Sequence, residues 1–109
     1  MDRPGPERKR GQVWWARADK RRPILLLSRP EAYSVRRRVI AAEVTTTIRL
    51  NPATVPLSRR DGLAEPSIAN CDNLVTANQD DLIEYITTLS PERMAEIDRA
   101  LRFALALDQ

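Results

Sequence analysis

The hydrophobic pattern of the chain changes period once, at Ser90, and that change constrains the fold more than any other feature. Before Ser90, apolar residues come in short runs of strand length, repeating at roughly 8–12-residue intervals between polar or Pro-containing turns. After it, Met94, Ile97, Leu101 and Leu105 recur at helical spacing, joined by Phe103, Ala104 and Leu107. Ser90 is placed to cap that helix, Pro91 suits its first position, and Glu92 meets the positive end of its dipole. The order predicts a mainly β domain with a C-terminal α-helix over 91–107, folded as a small, strongly bent antiparallel barrel.

Within the β part, "QVWWA" alternates Val13 and Trp15 with Trp14 and Ala16, so one tryptophan of the pair belongs to the core. "PILLLS" is apolar on both faces, so both faces are expected to be covered. Residues 29–38 read as a loop. "VIAAEVTTTIR" reads as one long strand with Ile40, Ala42, Val44 and Ile48 on a core face and Glu43, Thr45 and Thr47 on the other. "TVPLS" carries Pro56 and belongs near an edge. "SIANCDNLVT" reads as a strand bent near Asp72 and Asn73, and "ANQDDL" as a helical turn capped by Asn78. Residues 1–10 are expected to form a flexible basic tail ahead of a domain spanning 11–109. The apolar stripe of the helix is wider than one contact face requires, which points to a homodimer.

Charge is divided along the chain. Residues 1–60 hold 15 Lys+Arg against 5 Asp+Glu, and residues 61–109 hold 3 against 10. A cationic face of this kind attracts a polyanion, and 16 of the 18 basic residues are Arg, whose planar fork suits phosphate. Among 109 residues there is no His, which excludes His-dependent nucleophilic catalysis and the usual zinc sites. The lone Cys71 excludes an internal disulfide and fits a reducing, cytoplasmic setting. No apolar run approaches the ~20 residues that span a bilayer, so no membrane partner is expected.

Glu43, Thr45 and Thr47 line one strand face, and Arg22 enters the preceding strand. A guanidinium, hydroxyls and a carboxylate so grouped suit attack of an RNA 2′-hydroxyl on its own phosphodiester. Arg22 neutralises charge on the phosphoryl oxygens, Thr45 donates a hydrogen bond, and Glu43 accepts the 2′-OH proton in the place a histidine would take. Such chemistry calls for no cofactor and no metal. Arg21, Ser28, Arg29, Tyr33, Thr46, Thr47 and Arg49 are expected RNA contacts by position and charge. On residue chemistry alone, however, a threonine run in a strand is better explained by β-propensity, and an arginine run by solvation.

The ordered segments "RGQVWWARA", "RRPILLLSRPEAYS", "VIAAEVTTTIR", "ATVPLS", "GLAEPSIANCDNLVT" and "LSPERMAEIDRALRFALAL" closely resemble the MazF/PemK-like toxins of bacterial toxin–antitoxin systems, from Arg10 to Leu107. The resemblance implies an SH3-like barrel dimer, related in fold to the CcdB toxins, that cleaves single-stranded RNA without metal. The implied products are a 2′,3′-cyclic phosphate and a 5′-hydroxyl, and the implied inhibitor is a cognate antitoxin, acidic and partly disordered. The family's catalytic arginine precedes the proline of the second strand, here Arg22 before Pro23, and its catalytic threonine closes "AEVT", here Thr45. Two features depart from many relatives: the loop between the first two strands is cut to about "ADKRR", and Glu43 stands where proline is common. Two other functions fit a barrel of this kind: a non-catalytic toxin that binds a protein such as DNA gyrase, and an RNA-binding module without cleavage.

Overall fold

The computed structural model describes residues 5–108. The strands are β1 (Gln12–Ala16), β2 (Arg22–Leu26), β3 (Arg38–Thr45), β4 (Thr54–Leu57), β5 (Ser67–Asn78) and β6 (Leu82–Thr88), with a one-turn helix α1 (Ala32–Val35) and a C-terminal helix α2 (Pro91–Ala104). They form a single curled antiparallel 6-stranded sheet in the order β4-β5-β3-β2-β1-β6. The mainly β architecture closed by one helix is the one the period change predicts.

The unbroken apolar run of β2 has the expected cause. Leu25 and Leu27 join Val13, Ala42 and Val44 in a core shared with β4, β5 and Ile97 and Ala100 of α2. Ile24 and Leu26 face the other way, into a second cluster with Trp14, Val39, Ala41, Ala32 and Leu82. Trp14 is the core tryptophan: it is fully buried, its indole Nε1 donates to Gln12 Oε1 at 2.9 Å, and it meets Tyr85 edge-on. Pro56 lies on the edge strand β4, where its missing N–H costs no ladder bond.

Three expectations are corrected. The long strand ends at Thr45, because the Thr47 N–H turns back to the Thr45 hydroxyl oxygen at 3.1 Å and takes the chain out of the sheet. Ile48 therefore lies beyond the strand and is 48% exposed; Ile40, placed on the core face, is exposed to the same extent. The loop over 29–38 contains α1, tied down by Gln79 Nε2, which donates to the carbonyls of Tyr33 and Arg36. Helix α2 stops at Ala104 rather than 107. Ala106 takes a left-handed φ of 56°, and the N–H groups of Ala106 and Leu107 bond back to the carbonyls of Phe103 and Arg102, a Schellman closure.

Of the segment expected as a tail, residues 1–4 lie outside the described residues. Arg8 stacks over the Trp14 ring at 4.8 Å, the Lys9 N–H donates to Gln12 Oε1, and Arg10 bonds to the Leu27 carbonyl and to Asp98.

One irregularity positions the site. In the β3–β5 ladder Ala42 faces Leu74, but Glu43 faces Asn70, so Cys71, Asp72 and Asn73 bulge out of register against a single step of β3. Cys71 is buried in the core and its N–H donates to the Ala53 carbonyl, while Asp72 and Asn73 are pushed to the surface. This is the bend expected near Asp72–Asn73.

Candidate active site

Strands β2 and β3 pair Ile24 with Glu43, Leu25 with Ala42 and Leu26 with Ala41. Carried on in the same register, Pro23 falls opposite Val44 and Arg22 opposite Thr45, so the guanidinium and the hydroxyl rise from the same face of the sheet. Pro23 has no N–H to give to β3, which ends the ladder and leaves room between the two strands at this end. On its other side Arg22 is paired with Ala16 of β1, whose small side chain leaves space for it.

The Arg22 guanidinium stands between two carboxylates, in a loose ion pair with each and hydrogen-bonded to neither. Its Nε is 3.8 Å from Asp19 Oδ1 and its Nη1 is 4.0 Å from Glu43 Oε2, and it makes no hydrogen bond to any described residue. The contrast with other arginines is sharp. Arg93 is forked onto Asp61 at 3.0 and 3.2 Å and onto Glu96 at 2.8 Å, which raises its pKa, chiefly through the hydrogen bond to Asp61. Arg10 reaches Asp98 at 2.6 Å, and Arg21 reaches Glu84 at 2.7 Å. Arg93 and Arg10 are committed to the fold, and Arg21 is held in an exposed surface pair. Arg22, with 40% of its side chain exposed, keeps its donors for something else.

Glu43 is the better-held partner. Its Oε2 accepts a hydrogen bond from Asn73 Nδ2 at 2.9 Å, across the bulge of β5. Arg22, Glu43 and Asn73 line a cleft of about 550 Å³ together with Arg17, Ile24 and Asp81. Its floor includes small apolar residues of the second core cluster, Ala16 and Ala77. Thr45 is not among the lining residues; it stands two residues beyond Glu43 on the same strand face. The cleft is of a size for one or two nucleotides, with a cation on its wall and an apolar floor, as ligand sites commonly are.

The remaining candidates separate into two groups. Thr46, Thr47 and Arg49 follow Thr45 out of the strand and are exposed at the same end of β3. Arg21 lies next to Arg22, but its side chain packs over the Trp15 ring at 5.0 Å beside Glu84. Ser28, Arg29 and Tyr33 lie past the other end of β2, about 20 Å from Arg22 at the usual rise per residue. There the Ser28 hydroxyl accepts the Ile40 N–H at 2.8 Å, and the Tyr33 phenol donates to the Ser28 carbonyl at 3.0 Å. Arg29 faces Glu31 at 4.0 Å. Burial pushes the Tyr33 phenol up to about 12 despite the opposing charge of Arg10. The buried Cys71 thiol is likewise pushed up, to about 11, which leaves it inert.

Residue patterns did not single out Asn73, Arg17 or Asp81. The available signal was the bend at Asp72–Asn73, since bulges re-aim side chains beside functional sites.

Comparison with known proteins identifies the family. Residues 9–105 match the family model described as PemK-like, MazF-like toxin of type II toxin-antitoxin system. The chain is 34% identical over 93 residues to Endoribonuclease MazF3 of Mycobacterium tuberculosis, covering 85% of this chain and 90% of that protein. It is 34% identical to Probable endoribonuclease MazF5 of the same organism over 105 residues, covering 88% of this chain and 91% of that one. A solved mycobacterial endoribonuclease in complex with its cognate antitoxin superposes with a TM-score of 0.85 at 32% identity, over 92% of this chain and 96% of that one. The Mycobacterium tuberculosis toxin MazF-mt6 gives 0.84 at 33% identity, over 90% and 99%. Matched over residues 9–105 and 34% identical to relatives across most of its length, the chain belongs to the PemK-like, MazF-like toxins of type II toxin–antitoxin systems.

Proposed function

We propose that this toxin is a metal-independent endoribonuclease that cuts single-stranded RNA and thereby blocks translation and growth. The observation that carries the reading is the uncommitted guanidinium of Arg22, held at a cleft and in register with the Thr45 hydroxyl. Arg22 forks onto the non-bridging oxygens of a phosphodiester and offsets the charge that grows there during attack. Thr45 donates to the same phosphate. Glu43 takes the proton of the ribose 2′-OH as its oxygen bonds to phosphorus. The bond to the 5′ oxygen then breaks, that oxygen takes a proton from water, and a 2′,3′-cyclic phosphate and a 5′-hydroxyl remain. Arg21, Thr46, Thr47 and Arg49 contact the strand near the cut, and Ser28, Arg29 and Tyr33 contact it only if RNA runs the length of β2.

The same reading places the toxin in the cytoplasm; among the described residues no helix is long and apolar enough to cross a membrane. It makes the protein a homodimer, supported by the exposed apolar side chains of Ile48, Leu50, Phe103, Leu105 and Leu107. It gives the cleft a second occupant, an acidic, partly disordered segment of a cognate antitoxin that competes with RNA. Relatives bearing the name endoribonuclease favour cleavage over the gyrase-type and binding-only alternatives.

The test is end-group mapping of products from a defined RNA mixture incubated with purified protein in EDTA. Cyclic phosphate and 5′-hydroxyl termini at recurrent sites are expected. Intact RNA with blocked gyrase supercoiling, or RNA retained without cleavage, would each replace this reading.

A further inference from the structure

Glu43 and Arg22 carry opposite charges on neighbouring strands, yet they stand 4.0 Å apart rather than in a forked ion pair. Three other arginines, Arg10, Arg21 and Arg93, close on carboxylates to between 2.6 and 3.2 Å, while Arg29 and Glu31 stand as far apart as this pair, at 4.0 Å. At Glu43 a second donor is engaged. Asn73 Nδ2 holds the same oxygen, Oε2, that faces Arg22. The donor is delivered by a rigid device: the three-residue bulge of β5 is pinned below by buried Cys71 and on its flank by the Asp72 N–H, which donates to Asn70 Oδ1 at 3.0 Å.

From this geometry we infer that Asn73 is a positioning residue for the nuclease site, tethering the Glu43 carboxylate so that it cannot close on Arg22 and occupy the donors that must receive the phosphodiester. The inference rests on the nuclease reading for its purpose but not for its physics. A free carboxylate beside a guanidinium forms charge-assisted hydrogen bonds that compete directly with phosphate. A neutral amide donor on the carboxylate keeps it near the site, where a proton acceptor is needed, at a distance where the ion pair is loose. Asn73 is exposed and lies outside both core clusters, so truncating it leaves the fold in place.

The test uses Asn73→Ala, Glu43→Gln and the double variant, with two readouts. The first needs no RNA: the Arg22 Nε–H resonance in nitrogen-15 NMR. In Asn73→Ala it is expected to move and to exchange more slowly with solvent as Glu43 closes; in the double variant, which has no carboxylate to close, it returns toward its original behaviour. The second is the affinity for an RNA made uncleavable by a 2′-deoxyribose at the mapped cleavage site. Asn73→Ala is expected to weaken it about tenfold, the size of one competing charge-assisted bond, and the double variant to bind within about twofold of Glu43→Gln, inside the usual scatter of such comparisons. An unmoved Arg22 resonance in Asn73→Ala overturns the tether. So does a loss of affinity that persists in the double variant, since that marks a general structural role. If the resonance responds as expected while the unaltered protein neither binds nor cuts RNA, the tether stands and the nuclease reading falls.

Discussion

The backbone N–H of Thr47 donates to the Thr45 side-chain oxygen at 3.1 Å, and this one bond both ends β3 and orients a hydroxyl. With one of its two lone pairs taken by the backbone, the Thr45 hydroxyl keeps its proton for a partner on the face it shares with Arg22. A hydroxyl fixed in this way needs no reorganisation when charge develops in front of it.

Thr45→Val tests that arrangement. It keeps the shape of the side chain and removes both the donor and the acceptor. Cleavage is expected to fall by about 10–100-fold, somewhat less than the loss of a principal oxyanion donor, while stability changes by no more than about 1 kcal/mol because the lost bond is exposed. Thr45→Ser, which retains the hydroxyl, is expected to keep most of the activity. Initial rates on a mapped substrate check both variants; equal rates for Val and the unaltered protein would remove Thr45 from the site.

The Arg93–Asp61 fork makes a prediction of the opposite kind. Asp61 is nearly buried, closes a capping box with Ser58, and receives both Nε and Nη2 of Arg93 from α2. Arg93→Ala is expected to cost about 1–2 kcal/mol, the solvent contact of the arginine holding the figure down. The melting temperature should fall by about 5–10 °C, with the rate of RNA cleavage at 25 °C unchanged. A catalytic loss without a stability loss would contradict the assignment of Arg93 to the fold.

Alkaline pH isolates Tyr33. Its phenol is pushed up to about 12 in the folded chain, above its ordinary 10, chiefly by burial. The folded state therefore holds the proton more tightly than the unfolded chain. Stability from this group is complete below pH ~10 and is lost as pH rises toward 12. Tyr33→Phe is expected to flatten the part of the urea-unfolding free energy that declines between those values. A decline of unchanged steepness in Tyr33→Phe would show that the phenol is not its source.

The elements that could be read from the sequence are those set by period and by local chemistry. Ser90, Pro91 and the helical stripe locate the start of α2, and the two-faced run of β2 locates the strand buried on both sides. The resemblance implied the roles of Arg22 and Thr45, which composition and spacing left open. What could not be read is what depends on contacts distant in sequence. The end of α2 turns on a left-handed Ala106, a conformation usually given to glycine, so no residue type announces it. Ile40 is exposed although it alternates correctly with Ala42 and Val44, because alternation gives the face and not what lies over it. Asn73 reaches Glu43 through a bulge whose size, three residues against one step, is fixed by the pairing of β5 with both β3 and β4. Ser28, an expected RNA contact by position, is engaged by the Ile40 N–H across strands.

The guanidinium of Arg22 can be removed with little consequence for the fold, since it hydrogen-bonds to no described residue and nearly half of its side chain is exposed. Cleavage of a mapped single-stranded RNA in EDTA by Arg22→Ala is therefore the most direct measurement. The account predicts that the rate falls by about 10²–10³-fold or more while the melting temperature stays within about 2–3 °C of the unaltered protein, as for other exposed substitutions. Cleavage by Arg22→Ala at the unaltered rate would contradict it.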